Sequence, residues 1–253
     1  MVEKTLTMPL KVESILPYDK SERKGRQIEQ MFDGIASAYD RLNCILSLGL
    51  DAGWRRKAAS TLSTYSPARI LDLAAGTGDM ALTLSRILHP EHITAVDISE
   101  NMLSTGKMKA LRAGYSSLID FERQDCMSLT FPDESFDAVT IAFGLRNFEN
   151  IEQGLSEMRR VLKPGGRLLI LELSTPDAFP FKQLYTLYTN TAVPLAARLM
   201  SADRRAYRYL PQSVQALVQG EAMRRILEHG GFTETSICRY TFGVCTLYSG
   251  KKN

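Results

Sequence analysis

A doubly wound α/β fold is predicted by three features of this 253-residue chain. Five short apolar segments that read as strands recur between helical stretches. The first runs directly into a glycine-rich turn, Ala74-Ala75-Gly76-Thr77-Gly78-Asp79, that opens a helix. The second ends on an acid, Asp97, about 20 residues further on, where such sheets place a ribose-binding carboxylate. Strands alternating with helices in this way pack as a parallel sheet covered on both faces, with ligands bound beyond the carboxyl ends of the strands.

In chain order, residues 1–20 carry Pro9 and Pro17 with little periodicity and read as a loose arm. A helical lid follows over 21–60, and one domain spans 21–253. The five strands are Ala68-Arg-Ile-Leu-Asp-Leu73, His92-Ile-Thr-Ala-Val-Asp97, Leu118-Ile-Asp-Phe-Glu-Arg123, Phe136-Asp-Ala-Val-Thr-Ile-Ala-Phe143 and Arg167-Leu-Leu-Ile-Leu-Glu-Leu173. An irregular insertion is expected over about 174–219, then a helix to His229 and the Gly230-Gly231 turn. Two last strands, Thr233–Tyr240 and Val244–Ser249, stand close enough for an antiparallel pair.

Bulk properties exclude several classes of function. A net charge of +3 without a clustered basic face gives no basis for a nucleic-acid partner. Cys44, Cys126, Cys238 and Cys245 form no CxxC pair and have no histidine spacing around them, so no metal is expected and the thiols read as reduced, in the cytoplasm. The apolar runs, Leu168–Leu173 and Thr191–Met200, fall far short of the roughly 20 residues of a spanning helix. Contact with the inner face of a membrane, if made, is peripheral. A homo-oligomer is compatible with the sequence, which leaves assembly open.

The glycine turn lets backbone approach a nucleotide-like ligand closely, with Gly76 and Gly78 as the points of approach. Alone it fits a dinucleotide fingerprint or a merely structural tight turn. Asp125, beside Cys126 after the third strand, adds a third acid to the same edge, suited to an adenine amino group. Each acid by itself is equally readable as a helix cap. Three carboxyl-bearing loops with no provision for phosphate suit S-adenosylmethionine, and the terminal strand pair resembles the seven-stranded, mostly parallel methyltransferase sheet whose last strand is antiparallel.

Four further segments carry a family resemblance. Tyr39-Asp-Arg-Leu-Asn43, continuing through Leu46-Ser47-Leu48-Gly49 to Trp54-Arg55, closely resembles the first signature of the menaquinone/ubiquinone biosynthesis C-methyltransferases. Phe143-Gly-Leu-Arg146-Asn147, the run from Arg160 through Lys163-Pro164-Gly165-Gly166 to Ser174, and Tyr207-Arg-Tyr-Leu-Pro-Gln-Ser213 match others. The resemblance covers roughly Met31 to the C-terminus. It implies that Thr77, Asp97, Asp125 and Cys126 contact S-adenosylmethionine. Asp51 stands where the family often has histidine, which argues against a catalytic role for that position.

The implied reaction methylates a ring carbon of a prenylated quinol, demethylmenaquinol, in menaquinone biosynthesis. A dual-specificity enzyme that also methylates the benzoquinol precursor of ubiquinone is the alternative within the family. An NAD-dependent oxidoreductase shares the glycine loop but gives no account of the other segments. His89, His92 and His229 precede strands and belong at the opposite edge. Arg146 and Asn147 follow the fourth strand on the ligand side and are assigned the catalytic role of holding a developing phenolate or an ordered water. A guanidinium is a poor base, so the proton passes to water or another acceptor. The plainer reading pairs Arg146 with an acid of the lid. Tyr39 and Asp40 belong to the lid, where substrate contact competes with packing and capping. Phe179, Phe181, Leu184, Tyr185, Leu187 and Tyr188 form an apolar set that suits an isoprenoid tunnel, although ordinary helix packing is the default reading of such a set. Arg198, Arg204, Arg205 and Arg208 read by default as a solvated face and secondarily as contacts for anionic headgroups.

Overall fold

The computed structural model describes residues 9–18, 21–200 and 204–253. Residues 1–8 of the arm and 19–20, and the side chains of Arg198, Arg204 and Tyr207, lie outside what is described.

Seven strands form one sheet: β1 (Arg69–Leu73), β2 (His92–Asp97), β3 (Ile119–Arg123), β4 (Phe136–Ala142), β5 (Leu162–Leu173), β6 (Phe232–Tyr240) and β7 (Cys245–Lys252). Their order is β3-β2-β1-β4-β5-β7-β6. The first five are mutually parallel, and β7 runs antiparallel to both β5 and β6. Chain order reverses between β1 and β4, which sets the ligand crevice of such a sheet at their carboxyl ends. The predicted fold is the observed one.

The side-chain period of two decides what faces what. Along β1, Leu71 and Leu73 point into the core beneath α6 (Ile151–Val161) and α9 (Glu221–His229), with Leu155, Met158, Met223 and Leu227. Ile70 points the other way, into the core with Trp54 and Ala58 of α3 (Leu50–Ser60) and Ala81 and Leu84 of α4 (Asp79–Leu88). Asp72 shares the face of Ile70 by the same alternation. On that face α5 (Glu100–Ala113) adds Leu103 and Ala110. Its N-cap Ser99 accepts from the Met102 amide at 3.2 Å, supplying a partner to one free N–H of the first turn.

Two glycines let loops close together at the carboxyl edge. Gly78 has φ +77, and a Cβ there would meet the Phe121 ring at 2.9 Å. A Cβ on Gly144 would lie 2.6 Å from that of Ala74, so only glycine allows the β4 loop to touch the β1 loop.

The lid consists of α1 (Lys24–Ile35), α2 (Tyr39–Leu46) and α3. Two expectations are corrected. The insertion is helical rather than irregular, with α7 (Phe181–Met200) and α8 (Arg204–Ala216) packed against each other. Within the arm, residues 9–18 are packed: Val12 is fully buried in the main core, and Glu13 Oε1 accepts from the Ile151 amide at 2.8 Å. Leu10 and Ile15 pack against the same core, and Lys24 Nζ donates to the Val12 carbonyl at 2.7 Å, which together hold a segment whose composition reads as loose.

Candidate active site

Two cavities open along the carboxyl edge. The first lies between lid helix α1 and the loops after β1, β2, β3 and β4. Gly76, Asp97, Asp125 and Cys126 all line it, so the structure brings together four of the residues predicted to bind a cofactor. Asp97 is buried, and its two oxygens accept from the Gly76 amide (Oδ2, 2.8 Å) and the Ser99 amide (Oδ1, 2.9 Å). Burial pushes its carboxyl above the usual range while these amides act the other way. Each carboxylate oxygen keeps a lone pair for another donor. Asp125 is exposed and caps its own loop, with Oδ1 accepting from the Met127 amide at 2.9 Å. Burial raises the Cys126 thiol pKa, so it lines the cleft as a neutral apolar group.

Thr77 and Gly78 do not line this cleft. Gly78 packs on Phe121, and the Thr77 hydroxyl is turned into an ion network. Thr77 Oγ1 donates to Asp40 Oδ1 at 2.5 Å, and Lys109 Nζ donates to Asp40 Oδ2 at 2.7 Å, to Thr77 Oγ1 at 3.1 Å and to Asp79 Oδ1. Thr77 lines a small recess beside the glycine loop, with Tyr39, Arg55, Asp72 and Asp79. Asp72, read only as the end of a strand in the sequence, is fully buried there. Its Oδ1 accepts from Thr140 Oγ1 at 2.7 Å, while Oδ2 has no partner among the described residues. Burial pushes its carboxyl up to about 7.

The second cavity, about 390 Å³, lies between the lid helices α2 and α3, the helices α7 and α8, and the turn around Phe242. Phe181, Leu184, Tyr185 and Tyr188 of the predicted apolar set line it, whereas Phe179 and Leu187 stand exposed outside it. Leu48, Leu50, Leu184 and Phe242 line the cavity and are also exposed, forming an apolar rim at its mouth.

Tyr39 and Phe143 line both large cavities and form the wall between them. Phe143 takes φ +62, an uncommon backbone state for an aromatic residue, and its ring sits 5.3 Å beneath the Arg55 guanidinium. Burial raises the Tyr39 phenol pKa, so this hydroxyl is a donor rather than a base.

Arg146 lines the apolar cavity and Asn147 the polar cleft, so the two adjacent residues predicted to act together face different cavities. Backbone curvature in the 3₁₀ turn Leu145–Asn147 separates them. The Arg146 side chain is buried; its Nη1 donates to Glu172 Oε1 at 2.7 Å and to the Phe143 carbonyl, and its Nε has no partner among the described residues. The acid that pairs with it therefore comes from β5, not from the lid. The Arg146 carbonyl accepts from buried Lys24 Nζ at 3.0 Å, and Asn147 Oδ1 accepts from the Tyr209 hydroxyl at 3.1 Å. Asp51 accepts from Arg55 Nη1 at 2.6 Å and from Ser47 Oγ at 2.7 Å, which makes it a structural anchor.

The ubiE/COQ5 methyltransferase family model matches residues 20–252. The chain belongs to that family. A demethylmenaquinone methyltransferase of Bacteroides fragilis is 50% identical over 240 residues, 95% of this chain and 98% of the relative. The ubiquinone/menaquinone biosynthesis C-methyltransferase UbiE of Geobacter sulfurreducens is 44% identical over 230 residues, 90% of each chain. Among solved structures, a SAM-dependent methyltransferase from Thermotoga maritima superimposes with a TM-score of 0.63 at 16% identity, over 89% of this chain and all of that one, a likeness of fold.

Proposed function

We propose that this family member transfers a methyl group from S-adenosylmethionine to a ring carbon of demethylmenaquinol. The observation that carries the reading is the shared wall of Tyr39 and Phe143: a polar cleft fit for a nucleoside meets an apolar cavity fit for a prenylated ring there.

The residues present fit the donor. Asp97 would accept from the ribose hydroxyls, Asp125 and Cys126 would take the adenine, and the glycine loop would offer the Gly76 backbone, all four lining one cleft. The buried Oδ2 of Asp72, without a partner among the described residues, would be the acceptor for the α-ammonium group. Thr77 shapes this loop through Asp40 and Lys109. When bound, S-adenosylmethionine supplies an electrophilic methyl on a sulfonium.

The remaining work belongs to the protein. A quinol carbon becomes nucleophilic as its hydroxyl, whose tyrosine-like pKa is about 10, loses or shares its proton. Arg146 holds the developing oxyanion with donors left over from its Glu172 bond, and its buried Nε leaves one donor unspent. Asn147, from the cleft side, positions that turn through Tyr209. Tyr39 donates rather than abstracts, so the proton leaves through water.

No helix among the described residues is long and apolar enough to cross a membrane. The exposed rim of Leu48, Leu50, Leu184 and Phe242 is where we place the prenyl chain and shallow contact with a bilayer. Incubating the purified chain with S-adenosylmethionine and demethylmenaquinol should yield a product heavier by one methylene and S-adenosylhomocysteine. Absence of both products sinks the reading. Parallel turnover of 2-methoxy-6-polyprenyl-benzoquinol decides whether specificity is dual, as the name of the Geobacter relative favours.

A further inference from the structure

Arg55 on lid helix α3 is buried and lines both the recess beside the glycine loop and the apolar cavity. The recess is acidic, since Asp72, Asp79 and, through the Thr77 network, Asp40 surround it. An amino-acid group entering it brings a carboxylate as well as an ammonium, and that carboxylate needs a cation.

Two cations reach the network. Lys109 is committed, donating to Asp40, Thr77 and Asp79. Arg55 is not: Nη1 donates to Asp51 Oδ2 at 2.6 Å, whereas Nη2 stands 3.8 Å from Asp79 Oδ2, too far for a hydrogen bond. A guanidinium carries five N–H donors in a planar fork that matches a carboxylate. Asp51 and the Phe143 ring hold that fork in place.

We infer that Arg55 is the receptor for the α-carboxylate of the cofactor's amino-acid end, opposite Asp72, which takes the ammonium. The inference rests on the cofactor reading given above. It also places one side chain between the recess and the apolar cavity, both of which Arg55 lines.

Calorimetry with two ligands tests it. S-adenosylhomocysteine carries the amino-acid end, and 5′-methylthioadenosine is the same nucleoside thioether without it. Arg55→Gln should weaken S-adenosylhomocysteine about ten- to a hundredfold, the worth of one charged hydrogen-bonded contact, and leave methylthioadenosine within about twofold. Arg55→Lys should fall between. Equal losses for both ligands, or no loss for either, overturn the inference. Decarboxylated S-adenosylhomocysteine provides a test without any substitution: the parental protein should bind it as weakly as Arg55→Gln binds the full ligand, and parental affinity for it overturns the assignment. A parental protein that binds neither nucleoside overturns the cofactor reading itself.

Discussion

Arg146 Nη1 lies 2.7 Å from Glu172 Oε1; both side chains are buried, and Arg146 lines the apolar cavity. A charge pair in that position has two consequences. It keeps a guanidinium in an apolar surface that could not otherwise hold it, and it leaves the remaining donors of the fork directed by a fixed partner.

Arg146→Lys keeps the charge and loses the fork, so methyl transfer in single turnover should slow by roughly ten- to a thousandfold, with the larger loss for Arg146→Ala. S-adenosylhomocysteine affinity should stay close to parental, because the side chain faces the other cavity. Parental rates in both folded variants would return Arg146 to a purely structural role.

Asp72 predicts a pH dependence of binding. Its carboxyl, raised to about 7 by burial, lies above the unfolded value of about 3.9. Between those values the folded chain holds the extra proton, so this group's contribution to stability is full below about 4 and is lost as pH rises through about 7. An α-ammonium favours the ionised carboxylate, and affinity for S-adenosylhomocysteine should therefore rise about tenfold from about pH 6 to about pH 8. Asp72→Asn should flatten that slope. An unchanged slope in the folded variant would assign it to another group.

Much of this arrangement is legible in the sequence because it is local. The period-two strands, Gly76 and Gly78 after β1, and Asp97 at the end of β2 each follow from a few neighbouring residues, and parallel topology then brings them to one edge. What is not legible depends on pairs distant in sequence. Thr77 meets Asp40 from 37 positions away, and Arg146 meets Glu172 from 26. Asp72 did leave a signal: an acid inside Ile-Leu-Asp-Leu is a charge in a strand buried on both faces, which calls for a partner or a function. The helix α8 is hard to read from sequence because Pro211, a residue that argues against a helix interior, lies inside it.

Gly144→Ala should destabilise the protein by about 1–3 kcal/mol, since the new methyl would meet Ala74 Cβ at 2.6 Å and Ile141 Cγ1 at 3.1 Å, both held by the central strands. Gly53→Ala is the contrasting change. It lies in the interior of α3 with nothing within 4 Å, and gains the roughly 1 kcal/mol of helix propensity that separates alanine from glycine. Thermal unfolding should move in opposite directions for the two, and a shift of the same sign would show that the close approach of the β1 and β4 loops is not what Gly144 provides.

The apolar rim makes the last prediction. Leu48 and Phe242 are 75% and 68% exposed while lining the cavity mouth, and Phe242 stacks one ring face on Phe181 at 3.8 Å between centroids, so replacing both spares the buried core and costs that stack. The surface they leave exposed is useful when something apolar covers it, either a prenyl chain leaving the cavity or the acyl region of a bilayer, and each such side chain buried is worth about 1.5–3 kcal/mol. Leu48→Gln combined with Phe242→Gln should therefore raise the apparent KM for a long-chain quinol presented in vesicles by roughly tenfold or more. A water-soluble quinol with a short side chain should show a much smaller change, and thermal stability should hold. Cosedimentation with anionic vesicles containing no quinol separates the two partners: reduced binding assigns the rim to the membrane, and unchanged binding with the raised KM assigns it to the prenyl chain. If neither the KM nor the binding moves, the rim has no part in reaching the substrate, and the chain must enter the cavity past α7 and α8 instead.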